Sequence, residues 1–148
     1  MYDAIDIAEY VLDYCANTLK HPIDNLYLQQ FLYYIQGEYL KIYGEPIFDN
    51  DIVISSYGVY IPDVYYSYND YCTCDIEDVK QTVEISNEVK EVINKAIKSL
   101  INISIWEIIR RIKLEPPYLN NYILNCNGND KLVIPIEDME EHFVKKVK

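Results

Sequence analysis

Asn25-Leu26-Tyr27-Leu28-Gln29-Gln30-Phe31-Leu32-Tyr33-Tyr34-Ile35-Gln36-Gly37 is the stretch that decides the fold. Leu28, Phe31, Leu32, Ile35, Tyr39 and Ile42 recur at steps of three and four, the period of one helix face. Asn25 stands where a capping side chain would satisfy the first free amides, and Gly44 followed by Pro46 ends the run. A helix this apolar belongs at the centre of a molecule.

The pattern extends outward on both sides. Upstream, Ile5, Ala8, Leu12, Cys15 and Leu19 predict a first helix that stops before His21 and Pro22. Downstream, the β-branched run from Ile52 to Ser56 reads as a strand and Tyr57-Gly58 as a turn. Pro62 suits the first position of a short helix reaching Tyr68, and a polar loop follows through Asp78. Ser86, with Glu88 in the first turn, predicts a long helix burying Val89, Val92, Ile93, Ala96, Ile97 and Leu100. Ser104-Ile105-Trp106-Glu107 is a capping box that opens a helix to Lys113. Glu115-Pro116-Pro117-Tyr118 interrupts it, and a short helical segment continues to Leu124. Asn125 to Asp130 reads as a loop, Leu132 to Ile136 as a second strand, and Glu137 to Val147 as a terminal helix. Lys145, Lys146 and Lys148 suit the negative end of that helix. The expected architecture is mainly α: a compact single-domain helical bundle over residues 1–148. A small two-stranded β-ribbon is expected, Ile52 to Ser56 pairing with Leu132 to Pro135.

Composition narrows the function. Twenty-four acidic against 13 basic side chains give a net charge of −11. Such a chain repels phosphates, so sequence-specific binding to nucleic acid is not expected, and a basic protein partner is favoured. Acidity also serves solubility. Cys15, Cys72, Cys74 and Cys126 match no zinc spacing and read as reduced thiols, Cys15 as a small hydrophobe on a helix stripe. The first residues carry acids and no basic, then apolar, segment, so no signal or transit peptide is expected, and no apolar run approaches a membrane span. A cytoplasmic protein is expected. No phosphate loop, Ser-His-Asp order, His-Glu-x-x-His or flanked cysteine nucleophile appears, so neither enzymatic activity, cofactor nor metal is expected. Asp49 and Asp51 offer carboxylates, but acidic turns before strands are common.

Two ordered blocks resemble a known family. The stretch from Asn25 to Gly37, with Tyr43-Gly44-Glu45-Pro46-Ile47-Phe48, is similar to the opening signature of Panacea domains, N-L-K-L-Q-K-L-L-Y-Y-x-Q-G and then Y-G-x-P-L-F. Tyr57-Gly58-Val59-Tyr60-Ile61-Pro62-Asp63-Val64-Tyr65 is similar to Y-G-P-V-V-P-E-V-Y. A third block departs: where the family commonly shows H-x-E-x-P-W, this chain has Lys113-Leu114-Glu115-Pro116-Pro117-Tyr118. Lys113 replaces the histidine and Tyr118 the tryptophan, so a titrating imidazole is expected to be missing there. The resemblance implies a cytosolic domain of phage-associated and SocA-like antitoxin proteins, often encoded beside a toxin that it blocks by direct contact. One branch instead delivers its toxin to a protease.

Within this frame, Gln29, Tyr33, Gln36, Tyr57, Tyr60, Asp63, Tyr65, Tyr66 and Asp70 are the expected partner-binding residues. Lys113, Glu115, Pro117 and Tyr118 carry the third family motif. Tyrosine offers a large contact area at low entropy cost, and the acids would rim the aromatic patch. Gln29 and Gln36 share a helix face, where their amides either bind a partner or hold a buried loop. Glu115 is expected to pair with Arg110 or Arg111, and His21 and His142 to lie at the surface. The leading reading is a module that neutralises a toxin by contact. The alternatives are a phage-encoded counter-defence protein that inhibits a host nuclease or defence complex, an adaptor carrying a toxin to a protease, and an enzyme of unknown type.

Overall fold

The computed structural model describes residues 1–124 and 132–144. Within them the order is α1 (Ala4–Asp13), α2 (Asn25–Tyr43), β1 (Val53–Ser55), β2 (Gly58–Tyr60), α3 (Pro62–Ser67), α4 (Asn87–Leu100), α5 (Ile105–Leu114), α6 (Pro116–Leu124) and α7 (Ile136–Phe143). The mainly α architecture with a small two-stranded sheet is as the periodicity requires. The loop from Asn125 to Asp130, Cys126 and the terminal lysines lie outside the described residues.

Helix α2 is the hub. It packs against α1, α3, α4, α5, α7 and β2, and its buried residues lie all around its circumference. A helix surrounded in this way must hydrogen-bond every polar group it carries inward. Among the described residues, every buried side-chain nitrogen and oxygen has a partner. Asp24, rather than Asn25, caps the helix: its backbone is extended and its carboxylate accepts from the Tyr27 amide at 2.9 Å. Asn25 is already helical and buried, which frees its side chain for another task. At the other end Gly44 adopts φ 74° and donates to the Leu40 carbonyl at 2.8 Å. Ile42, counted in the apolar stripe, is 54% exposed because the last turn has left the core.

The first helix is followed by a π-helical turn over Tyr14–Thr18 that keeps Cys15 buried. Ser104 accepts from the Glu107 amide at 3.3 Å, but the reciprocal half of the capping box is not made. The Glu107 carboxylate turns instead to Arg110 and Arg111, at 2.8 to 2.9 Å. Their hydrogen bonds hold the exposed carboxyl down at about 2.

The ribbon differs from the expected pairing. Strand β1 pairs antiparallel with β2, in the register Val53↔Tyr60, Ile54↔Val59, Ser55↔Gly58. The downstream segment adds a bridge at Val53↔Val133, with hydrogen bonds from the Ile54 amide to the Leu132 carbonyl and from the Ile134 amide to that of Ile52. Gly58, at φ 90°, lets the chain fold back directly after the turn. Closing that short loop costs less entropy than recruiting residue 132 as the main partner.

Candidate functional site

Three amides near the start of α2 position the Tyr-rich segment. The Gln30 amide accepts from the Val59 N–H and donates to the Val59 carbonyl, both at 3.0 Å. The Gln29 carbonyl oxygen accepts from the Ile61 N–H at 2.8 Å, while its NH2 donates to Asn25. Asn25 in turn donates to the Tyr65 carbonyl at 3.1 Å. Residues 59, 61 and 65 are thereby tied to one rigid helix, and Tyr60 lies between two anchored amides. Gln36 does the same for another loop, accepting from Ile47 N–H and donating to the Phe48 carbonyl. Gln30, which the sequence reading passed over, is fully buried. Its only sequence signal is a polar residue within an apolar run.

Above this scaffold lies a groove of about 610 Å³. Asn25, Leu26 and Gln29 of α2 form its base, and Ser55, Tyr57, Val59 and Tyr60 of the hairpin form one side. Tyr65 and Tyr66 of α3, the turn residues Asn69, Cys72 and Thr73, and Trp106 of α5 complete it. Tyr57, Tyr66 and Trp106 are about three-fifths exposed. Tyr65 meets Tyr60 and Tyr66 edge-to-face, with ring centroids 5.6 and 5.3 Å apart. The structure therefore brings together Tyr57, Tyr60, Tyr65 and Tyr66 and adds Trp106, which the sequence reading did not single out. Asp63 is exposed on the same short helix as Tyr65, and Asp70 on the turn beside Asn69. Gln36 and Tyr33 stand elsewhere: both are buried, and their polar atoms bond inside the protein.

The family model described as "Antitoxin SocA-like, Panacea domain" matches residues 28–117. The chain belongs to this family. No curated protein and no solved structure matches the chain. The matched segment runs from within α2 to the start of α6, so α1 and α7 flank it.

The third motif block of this Panacea domain forms a part-buried junction. Glu115 accepts hydrogen bonds from Tyr33 at 2.8 Å and Tyr34 at 2.9 Å, and the His142 Nε2 lies 3.6 Å from it. This corrects two expectations. Glu115 does not pair with Arg110 or Arg111, because Glu107 holds both arginines. His142 is not at the surface: it is 8% exposed, and α7 brings its imidazole to Glu115 even though Lys113 occupies the motif's histidine position. Burial raises the Glu115 carboxyl, but the His142 imidazole and the two phenols outweigh it and hold the group below its usual range. Burial and the facing carboxylate push the phenols of Tyr33 and Tyr34 well above theirs. The junction fixes α7 onto α2, where the Phe143 ring covers Gly37 so closely that a methyl group there would collide with it. Pro117 is buried, and its carbonyl accepts from the Asn121 amide at 2.7 Å. Tyr118, in the tryptophan position, donates to the Ser55 carbonyl at 2.7 Å and so props the hairpin from behind. Lys113 is half-buried on α5.

Burial pushes the Cys15 thiol up to about 12, whereas Cys72 and Cys74 are exposed. Among the described residues no group of three or more His, Cys, Asp or Glu side chains stands close enough to share a metal ion. No helix among them is long and apolar enough to cross a membrane.

Proposed function

We propose that this Panacea domain is a cytoplasmic binding module that neutralises a toxin by direct contact, without catalysis, through the Tyr-rich groove. The observation that carries the reading is the contrast between scaffold and lining. Asn25, Gln29 and Gln30 spend their polar groups holding backbone, while Tyr57, Tyr66 and Trp106, aromatic side chains that hydration does not favour, stay at the surface. Large aromatics on a rigid support are the usual anchors of a protein interface. Membership of an antitoxin-like family supports a protein partner. The exposed Asp63 and Asp70 beside the groove supply the field that speeds encounter with a basic surface.

The test is co-purification of the tagged protein with its gene neighbours at low and moderate salt. A stoichiometric partner that is toxic when expressed alone is the expected result. With that partner, Asp63→Lys or Asp70→Lys slows association in a salt-dependent way. Tyr65→Ala speeds dissociation by about tenfold, the equivalent of 1.4 kcal/mol. Unchanged kinetics in all three variants remove the groove as the contact surface. Capture of a host nuclease would favour the counter-defence reading, and loss of the toxin from cells without a stable complex would favour delivery to a protease.

A further inference from the structure

The chemistry of the groove specifies what it takes, granted that it is the contact surface. Between Lys41 and Lys80 the chain has no lysine, arginine or histidine, while Glu45, Asp49, Asp51, Asp63, Asp70, Asp75, Glu77 and Asp78 are all acidic. This base-free stretch supplies most of the groove lining, and none of the lining residues is itself charged. Of these acids Asp63 and Asp70 lie beside the groove, the segment that builds it brings no positive charge, and Arg110, one turn on from Trp106, is paired with Glu107, so the local charge favours an entering cation. The rings meet it in the same sense, because an aromatic face is the negative end of its quadrupole.

Backbone recognition is closed off. The outer edge of β2 is occupied by the Gln30 amide on Val59, and the outer edge of β1 by the Leu132 carbonyl on Ile54. A partner strand cannot extend the hairpin, so recognition falls to side chains. The hydroxyls of Tyr57, Tyr60, Tyr65 and Tyr66 make no hydrogen bond among the described residues, whereas those of Tyr33, Tyr34 and Tyr118 are held internally. Phenol oxygens that bond nothing inside the protein, set among aromatic rings, suit a group that is planar, cationic and rich in N–H donors. We infer that the groove receives an arginine side chain of the partner protein, its guanidinium stacked among Tyr60, Tyr65, Tyr66 and Trp106. Arginine fits better than lysine, whose compact, strongly hydrated ammonium neither stacks nor presents a planar fork.

Trp106 is the only tryptophan of the chain, so its emission reports the groove directly. The intact protein is titrated at about 100 mM salt, where long-range attraction is largely screened, with a capped peptide alternating arginine and glycine. The control peptide carries citrulline, which keeps the shape and removes the charge. The arginine peptide is expected to change Trp106 emission saturably and the citrulline peptide at least about fivefold more weakly. Tyr66→Leu, at an exposed position, weakens arginine binding about fivefold, while Tyr43→Leu, at the far end of α2, leaves it unchanged. Equal binding of the two peptides, equal effects of the two variants, or no saturable change overturns the inference. Co-purification of the toxin by the wild type and its loss in Tyr66→Leu, alongside a failed peptide titration, would sink the arginine assignment alone. Equal toxin capture by both proteins would sink the contact surface itself.

Discussion

Replacing Gln30 by leucine tests the scaffold that holds the groove. The Gln30 side chain is fully buried, and its amide is the partner of both the N–H and the C=O of Val59, itself 1% exposed. Leucine has a similar volume but neither donor nor acceptor, and water has no access to the two orphaned groups. Each buried, unsatisfied backbone group costs about 1–3 kcal/mol, so the pair costs about 2–6 kcal/mol. The additional apolar burial returns about 1 kcal/mol. A net loss of about 1–5 kcal/mol follows, a sizeable share of the roughly 5–15 kcal/mol that holds a domain of this size together. Urea unfolding followed by circular dichroism measures the loss. Amide exchange then locates it: Val59 should lose at least about tenfold in protection, whereas amides in the middle of α4 change only by the global destabilisation. Gln81→Leu is the control, since the Gln81 side chain donates only to its neighbour Val83 and should shift stability by under about 0.5 kcal/mol. A Gln30→Leu protein within about 0.5 kcal/mol of wild type, with Val59 still protected, would show that the Gln30 amide does not hold the hairpin.

Glu115 makes stability depend on pH. Its carboxyl is depressed in the folded state, so the stabilisation is present above the ordinary carboxyl value and is lost as pH falls through the lower folded value. Urea midpoints measured from neutral to acidic pH should show an acid decline that Glu115→Gln flattens. Tyr118→Phe removes the hydrogen bond to the Ser55 carbonyl and should cost about 0.5–1.5 kcal/mol by thermal or urea unfolding, with the hairpin amides losing protection first. A thiol reagent at neutral pH should modify Cys72 and Cys74 rapidly and Cys15 only on unfolding, since burial both covers the Cys15 thiol and holds it protonated. Peptide mapping by mass spectrometry reads that order.

Much of the fold was legible because helices announce themselves locally. The stripe of α2, the stop at Gly44, Pro62 opening α3 and the apolar face of α4 all rest on residues within one or two turns of each other, and the structure has them. The strand partner was not legible, because Val53 has apolar segments both at Gly58–Tyr60 and at Val133 to choose from. The site was half legible. Tyrosines 57, 60, 65 and 66 cluster in sequence and meet in the groove, but Trp106 reaches it from a helix some forty residues later.

Local pattern was enough for a mainly helical domain built on α2, its acidity, its family motifs and the clustering of Tyr57, Tyr60, Tyr65 and Tyr66, though not for the burial of Tyr33. Which polar residues are structural emerges only once the chain is packed. Gln29 and Gln30 bond to backbone about thirty positions away, and Glu115 meets Tyr33 and Tyr34 across about eighty and His142 across 27. The difference is one of range. Periodicity and capping come from hydrogen bonds between near neighbours, whereas an inward-facing amide or carboxylate takes whichever partner the packed chain brings into reach, and nothing in the residue's own neighbourhood says which one that is.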